Sequence, residues 1–184
     1  FTALLADAEK TLGPEHRTTM TILGNLGASQ SLAGQPDAAE ATLTRRDEVF
    51  ARRYARDWRS RLNNLVSLSA IKNQRGKFQE GLDLLDAALT TIPADAVFGA
   101  EWANALSWRG WFLRQLKQPE AAEMQYRALV TRFVEAFGEG DVQLARYRMR
   151  LAGSLVDQRK FAEAKPLLDK AIPELVAAYG EDHF

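Results

Sequence analysis

No cysteine occurs in the 184 residues, and histidine occurs only twice, at His16 and His183. The first absence excludes disulfides, thiol nucleophiles and cysteine-ligated zinc. The second leaves little for a histidine-based metal or acid–base centre, because the two lie near opposite ends of the chain. Neither sign of charge is in excess, since 24 basic residues balance 24 acidic ones. That balance gives no electrostatic argument for nucleic acid or an anionic membrane. No apolar run approaches the roughly 20 residues that span a bilayer. No signal-peptide pattern opens the chain, so a cytoplasmic setting is expected. Glycine and proline are sparse, at 12 and 6, and β-branched runs with period-two alternation are missing, which argues against a strand-rich fold. Phosphate-cradling glycine loops, serine-nucleophile motifs and H-E-x-x-H are absent as well. No cofactor, metal, small-molecule substrate or catalysis is therefore expected.

What is present is a pattern of fixed period. The motif Leu12-Gly13-Pro14-Glu15-His16 returns at the end as Tyr179-Gly180-Glu181-Asp182-His183-Phe184, with a variant at Phe137-Gly138-Glu139-Gly140-Asp141. In the "ARDW" and "VFGA" stretches near residues 55 and 97 it has decayed. A second marker superimposes without gaps: GQPDAAEATL (34–43), GKFQEGLDLL (76–85), KQPEAAEMQY (117–126) and RKFAEAKPLL (159–168). Its small residue falls at Ala39, Gly81, Ala122 and Ala164, in steps of 42, 41 and 42. Upstream of each marker, apolar residues recur at three- and four-residue spacing, as in an amphipathic helix. Examples are Leu23, Leu26 and Leu32, then Leu62, Leu65 and Leu68. Downstream, second helices end near Tyr54, Thr91, Phe137 and Tyr179. Pro36 and Pro119 suit a helix's first turn, Pro93 stops a helix, and Pro173 is expected to kink or end the last one early. Residues 1–13 read as the end of a preceding second helix. The repeats then run 14–55, 56–97, 98–138 and 139–180, with 181–184 starting a fifth.

The segment TRRDEVFARRYARDWRSR (44–61) holds seven arginines against three acids, with Phe50, Tyr54 and Trp58 at four-residue steps. A nucleic-acid or phosphate-binding patch is one reading. The better one buries the three rings as a stripe and leaves the arginines on a solvated face. Periodic recurrence likewise assigns His16 to a turn that helps start a helix, not to a catalytic site.

Helix-turn-helix units with a small residue midway along the first helix, and another opening the second, resemble tetratricopeptide repeats. The matching pairs are Gly27 with Ala39, Ser69 with Gly81, Gly110 with Ala122, and Ala152 with Ala164. The usual repeat has about 34 residues; the 42-residue version resembles the kinesin light chain subtype. Departures are Gly81 in place of the alanine and the lack of the aromatic usual midway along the first helix. The resemblance implies an all-α, right-handed superhelix of about four repeats, cut from a longer array, whose concave groove holds a protein or peptide segment. By offset from the small position, it implies groove residues at Thr21, Gly24 and Ala28; Asn63, Val66, Ala70 and Asn73; Asn104, Ser107, Trp111 and Arg114; and Arg146, Met149, Gly153 and Val156. The Lys/Asn clamp by which chaperone-tail-binding relatives hold a terminal carboxylate is missing at Gly24/Ala28, Val66/Ala70, Ser107/Trp111 and Met149/Gly153. Leu167, Leu168, Ile172, Leu175 and Val176 are expected to form an uncapped apolar face that drives self-association. An alternative, also by resemblance, is a regulatory or oligomerising region of a larger bacterial signalling protein.

Overall fold

Helices are the only regular elements in the computed structural model, which describes residues 1–180. They are α1 (Thr2–Thr11), α2 (Arg17–Leu32), α3 (Pro36–Arg53), α4 (Trp58–Gln74), α5 (Phe78–Thr90), α6 (Ala100–Gln115), α7 (Pro119–Phe137), α8 (Val142–Asp157) and α9 (Phe161–Tyr179). The residues preceding α2, α4, α6 and α8 are His16, Asp57, Gly99 and Asp141, again one period apart. His16 Nδ1 accepts from the Thr18 amide at 3.2 Å, Asp57 Oδ1 from Ser60 at 3.3 Å, and Asp141 Oδ1 from Gln143 at 2.8 Å. A side-chain acceptor at this position satisfies an amide the helix leaves unpaired and contributes about 1 kcal/mol. His16 is therefore a helix cap. The decayed copies of its motif retain the capping position even where the letters have changed. The expected start of a fifth repeat at 181–184, including His183, lies outside the described residues.

The turn inside each helix pair needs one residue in the left-handed region. It is Gly34 (φ 71°), Gly76 (φ 68°), Lys117 (φ 59°) and Arg159 (φ 59°) in the four pairs. Glycine adopts this conformation freely, whereas a residue with a Cβ meets its own carbonyl at a cost of about 1–2 kcal/mol. The last two turns are thus strained and the first two are not.

Contacts divide the chain into two compact units, Phe1–Ala96 and Val97–Phe184, where the sequence reading has one array over 1–184. In the first unit α1 packs on α2, α2 on α3 and α4, α3 on α4, and α4 on α5. In the second, α6 packs on α7 and α8, α7 on α8, and α8 on α9. Close approach within a pair depends on the small positions. A Cβ on Gly27 would lie 2.6 Å from Leu43, and one on Gly110 would lie 2.6 Å from the Tyr126 ring. Ser69, Ala152 and their partners Gly81 and Ala164 are likewise buried.

Four local expectations are corrected. Helix α9 runs through Pro173, and through Pro166, to Tyr179. Each proline removes one backbone donor, yet Ala171 and Leu175 hold the helix against Ala145 of α8. Phe50 and Trp58 are buried and Tyr54 half-buried, but they are not one stripe, because α3 ends at Arg53 and Trp58 opens α4. Arg46 leaves the solvated face altogether. Its guanidinium donates to Met20 O at 2.8 Å and Asn64 Oδ1 at 3.0 Å, above the Phe50 ring. Leu32, read as part of the apolar pattern, is exposed.

One polar knot fastens the second unit. Glu123 on α7 accepts from Lys160 Nζ at 2.7 Å, Gln158 Nε2 at 2.8 Å and Arg127 Nε at 2.8 Å. Lys160 first, and then Arg127, hold the Glu123 carboxyl down to about 2 against an ordinary value of 4.5. A folded-state value below the unfolded one gives stability that is complete above about 4.5 and lost as pH falls toward 2. Glu123→Gln is therefore expected to melt below the wild type at neutral pH, with the gap closing between pH 4.5 and 2. Thermal melts of both proteins across that range check this; a gap independent of pH would contradict it.

Candidate binding faces on the first helix of each pair

The groove residues implied by resemblance sit on α2 and α4 in the first unit and on α6 and α8 in the second. Thr21, Asn63, Asn104 and Arg146, six residues before the small position in each repeat, are all exposed. The Thr21 hydroxyl donates to Arg17 O of its own helix at 3.2 Å. Asn63 and Asn104 side chains make no hydrogen bond among the described residues. Arg146 stacks its guanidinium over the Tyr179 ring, 4.6 Å from the centroid.

Three residues before the small position the outcome differs. Val66 is 6% exposed and Ser107 2%, so neither presents a side chain to a ligand, and both leave the candidate set. The cause is helical geometry. At about 100° per residue, a position three before the buried small residue sits only about 60° from it, while positions six before and one after sit about 100–120° away. Met149, in the same series, is half-buried and packs against Ala145, Ala171 and Leu175.

Asn73, Trp111 and Arg114 are half-buried. Arg114 is held in place, its Nε donating to Asp157 Oδ2 at 2.7 Å. Its guanidinium also covers Gly153, where a Cβ would lie 2.7 Å from Nη1. Gly153 is thus a space for Arg114 and not itself a contact for a ligand. On α2, Gly24 plays the same part for Arg46, whose Cζ would lie 3.1 Å from a Cβ there.

The apolar surface expected on the last helix is also redrawn. Leu175 is 1% exposed and belongs to the α8–α9 contact, whereas Ile172 is 47% exposed. Leu167, Leu168 and Val176 are half-buried. Among the described residues, no group of His, Asp and Glu is placed to hold a metal ion. No helix there is long and apolar enough to cross a membrane.

Helix pairs stacked on their neighbours, with exposed polar first-helix faces, define a repeat array of the solenoid class. Residues 144–184 match the tetratricopeptide repeat family, and the described residues have the fold of TPR-like repeats. This fold is shared by the TPR-like repeats of a putative kinesin light chain from Podosopora anserina: 17% identity, TM-score 0.73, covering 97% of this chain and 85% of that one. BtubC (BKLC) from P. vanneervenii is 18% identical with a TM-score of 0.74, covering 88% of this chain and 65% of that one. MamA is 16% identical with a TM-score of 0.64, covering 95% and 86%. No curated protein sequence matches the chain. The family is generally a protein–protein interaction scaffold and typically non-catalytic.

Proposed function

We propose that each unit binds a protein segment through its own first-helix faces, α2 and α4 in one and α6 and α8 in the other, with four repeats bounded at 14–55, 56–97, 98–138 and 139–180. The supporting observation is the exposed series Thr21, Asn63, Asn104 and Arg146, one residue per repeat at one position. Asparagine inside a helix costs about half a kcal/mol relative to alanine. At Asn63 and Asn104 no hydrogen bond within the described residues offsets that cost. An amide offering both a donor and an acceptor suits the backbone of a bound strand. Trp111 and Arg114, on the same helix as Asn104, have the chemistry of interface anchors.

Panning a displayed peptide library on the intact chain tests this. Enriched peptides are expected to lose about tenfold in affinity on Asn104→Ala or Trp111→Ala, with helicity and melting unchanged. Failure to enrich any peptide, or equal binding by both variants, would overturn the reading.

A further inference from the structure

The turns joining α6 to α7 and α8 to α9 carry a feature that binding on the first-helix faces does not explain. Lys117 and Arg159 occupy the left-handed position that Gly34 and Gly76 fill in the first unit. Glycine satisfies the turn there without strain, so the fold does not require a cation in it. Non-glycine residues held in this region gather at functional positions. A cation just past a helix end does interact favourably with the helix dipole. However, the helices that end before Gly34 and Gly76 close without a cation at this position.

The two strained cations also lack the ion pairs that nearby cations make. Arg75 and Lys77, which flank Gly76, pair with Asp37 and Glu40, and with Glu80. Lys160 pairs with Glu123 and Arg114 with Asp157. Lys117 and Arg159 make no ion pair among the described residues, and both are exposed.

Their turns are tied together, because Gln158 Nε2 donates to Pro119 O at 3.2 Å and to Glu123. A pocket of about 360 Å³ opens there, lined by Arg114, Gln115, Lys117, Pro119 and Asp157. The Asp157 carboxylate is already matched by Arg114, which leaves the Lys117 charge in excess.

We propose that this turn edge docks an acidic segment of a partner protein, with Lys117 and Arg159 each receiving one carboxylate. Two cations are too few to hold nucleic acid, whose binding draws on many phosphate contacts, whereas two carboxylates of one short acidic segment match them one for one. The site borders the first-helix face at Arg114 but uses neither Asn63, Asn104 nor Trp111.

Fluorescein-labelled hexaglutamate, titrated into the intact chain and followed by anisotropy at about 0.15 M salt, tests the proposal. The Lys117→Gly/Arg159→Gly variant is expected to bind about tenfold more weakly and to melt at a higher temperature than the wild type. Lys10→Ala/Arg56→Ala removes two exposed cations from the first unit, changes the net charge equally, and is expected to bind as the wild type does. Asn104→Ala and Trp111→Ala are also expected to retain hexaglutamate, so loss of one site is distinguishable from loss of the other. The proposal is overturned if the wild type does not bind the probe, or if both double variants bind it equally. It is overturned in favour of nucleic acid if oligo-dT binds more tightly through the same two residues. A lower melting temperature for the glycine variant would assign both cations to helix capping instead.

Discussion

Gly110→Ala is expected to destabilise the second unit by about 1–3 kcal/mol, although alanine is the better helix former by about 1 kcal/mol. The added Cβ would meet three ring atoms of Tyr126, at 2.6, 2.8 and 2.9 Å. That ring has nowhere to go. Tyr126 is fully buried and its hydroxyl donates to Ser107 O at 3.2 Å, so the overlap must be relieved by moving α7 away from α6. For a chain of this size the loss corresponds to a fall of about 2–4 °C in melting temperature per kcal/mol. The repeats themselves suggest the rescue. The fourth pair carries Ala152 and Leu168 at the positions of Gly110 and Tyr126, and Ala152 is fully buried there. Gly110→Ala/Tyr126→Leu should therefore be more stable than the two single effects predict, by about 1–3 kcal/mol of coupling. Urea unfolding of the four proteins checks this. Additive losses would show that the contact between α6 and α7 tolerates a methyl group and that the glycine is there for another reason.

The period was legible because it is written in residues with no freedom to vary. A contact that admits no Cβ, or only one, needs Gly27, Ser69, Gly110 or Ala152, and the markers built on such positions gave helix ends within a residue or two. The caps were half legible. His16 and Asp141 announce themselves, but Gly99 has no side chain to recognise, and Asp57 lay inside a segment dominated by arginines. The left-handed turn position could have been found in the same alignment. Its four members head the four superimposed markers, where glycine gives way to Lys117 and Arg159. Burial was less accessible. Val66 and Ser107 were placed on a ligand face by offset alone, and a rotation of about 60° from the buried contact is too small to clear it. Leu175 and Ile172 differ by three residues, yet one is core and the other surface. Which side of a helix a neighbour covers depends on the crossing of the two axes, and no count along one chain contains that.

Arg46→Ala is expected to cost about 2–4 kcal/mol in the first unit, whereas Arg46→Leu combined with Asn64→Ala should fall within about 1 kcal/mol of the wild type. Burial pushes the Arg46 guanidinium pKa down, with Asp57 and Asp47 acting against that shift, so the side chain gains little from its charge and much from its bonds. Truncation opens a space over Phe50 and leaves Asn64 Oδ1 without its donor. Asn64 is fully buried, and its Nδ2 remains committed to Leu43 O at 2.9 Å. An acceptor stranded in that way costs about 1–3 kcal/mol. Asp47 does not add to the loss, because it keeps a two-bond pair with Arg61, at 3.0 and 3.2 Å. Removing both members of the Arg46–Asn64 pair avoids the stranded acceptor. Between the third and fourth repeats the corresponding contact is apolar: Leu129 and Tyr147 stand the same 83-residue step on from Arg46 and Asn64, and both are buried. The double substitution makes the contact in the first unit apolar as well. Denaturant melts of Arg46→Ala, Arg46→Leu, Asn64→Ala and the double variant close the cycle, with a favourable coupling of about 1–2 kcal/mol expected. A double variant as unstable as the summed singles would mean that the polar pair shapes the α2–α3–α4 contact in a way Leu and Ala cannot reproduce.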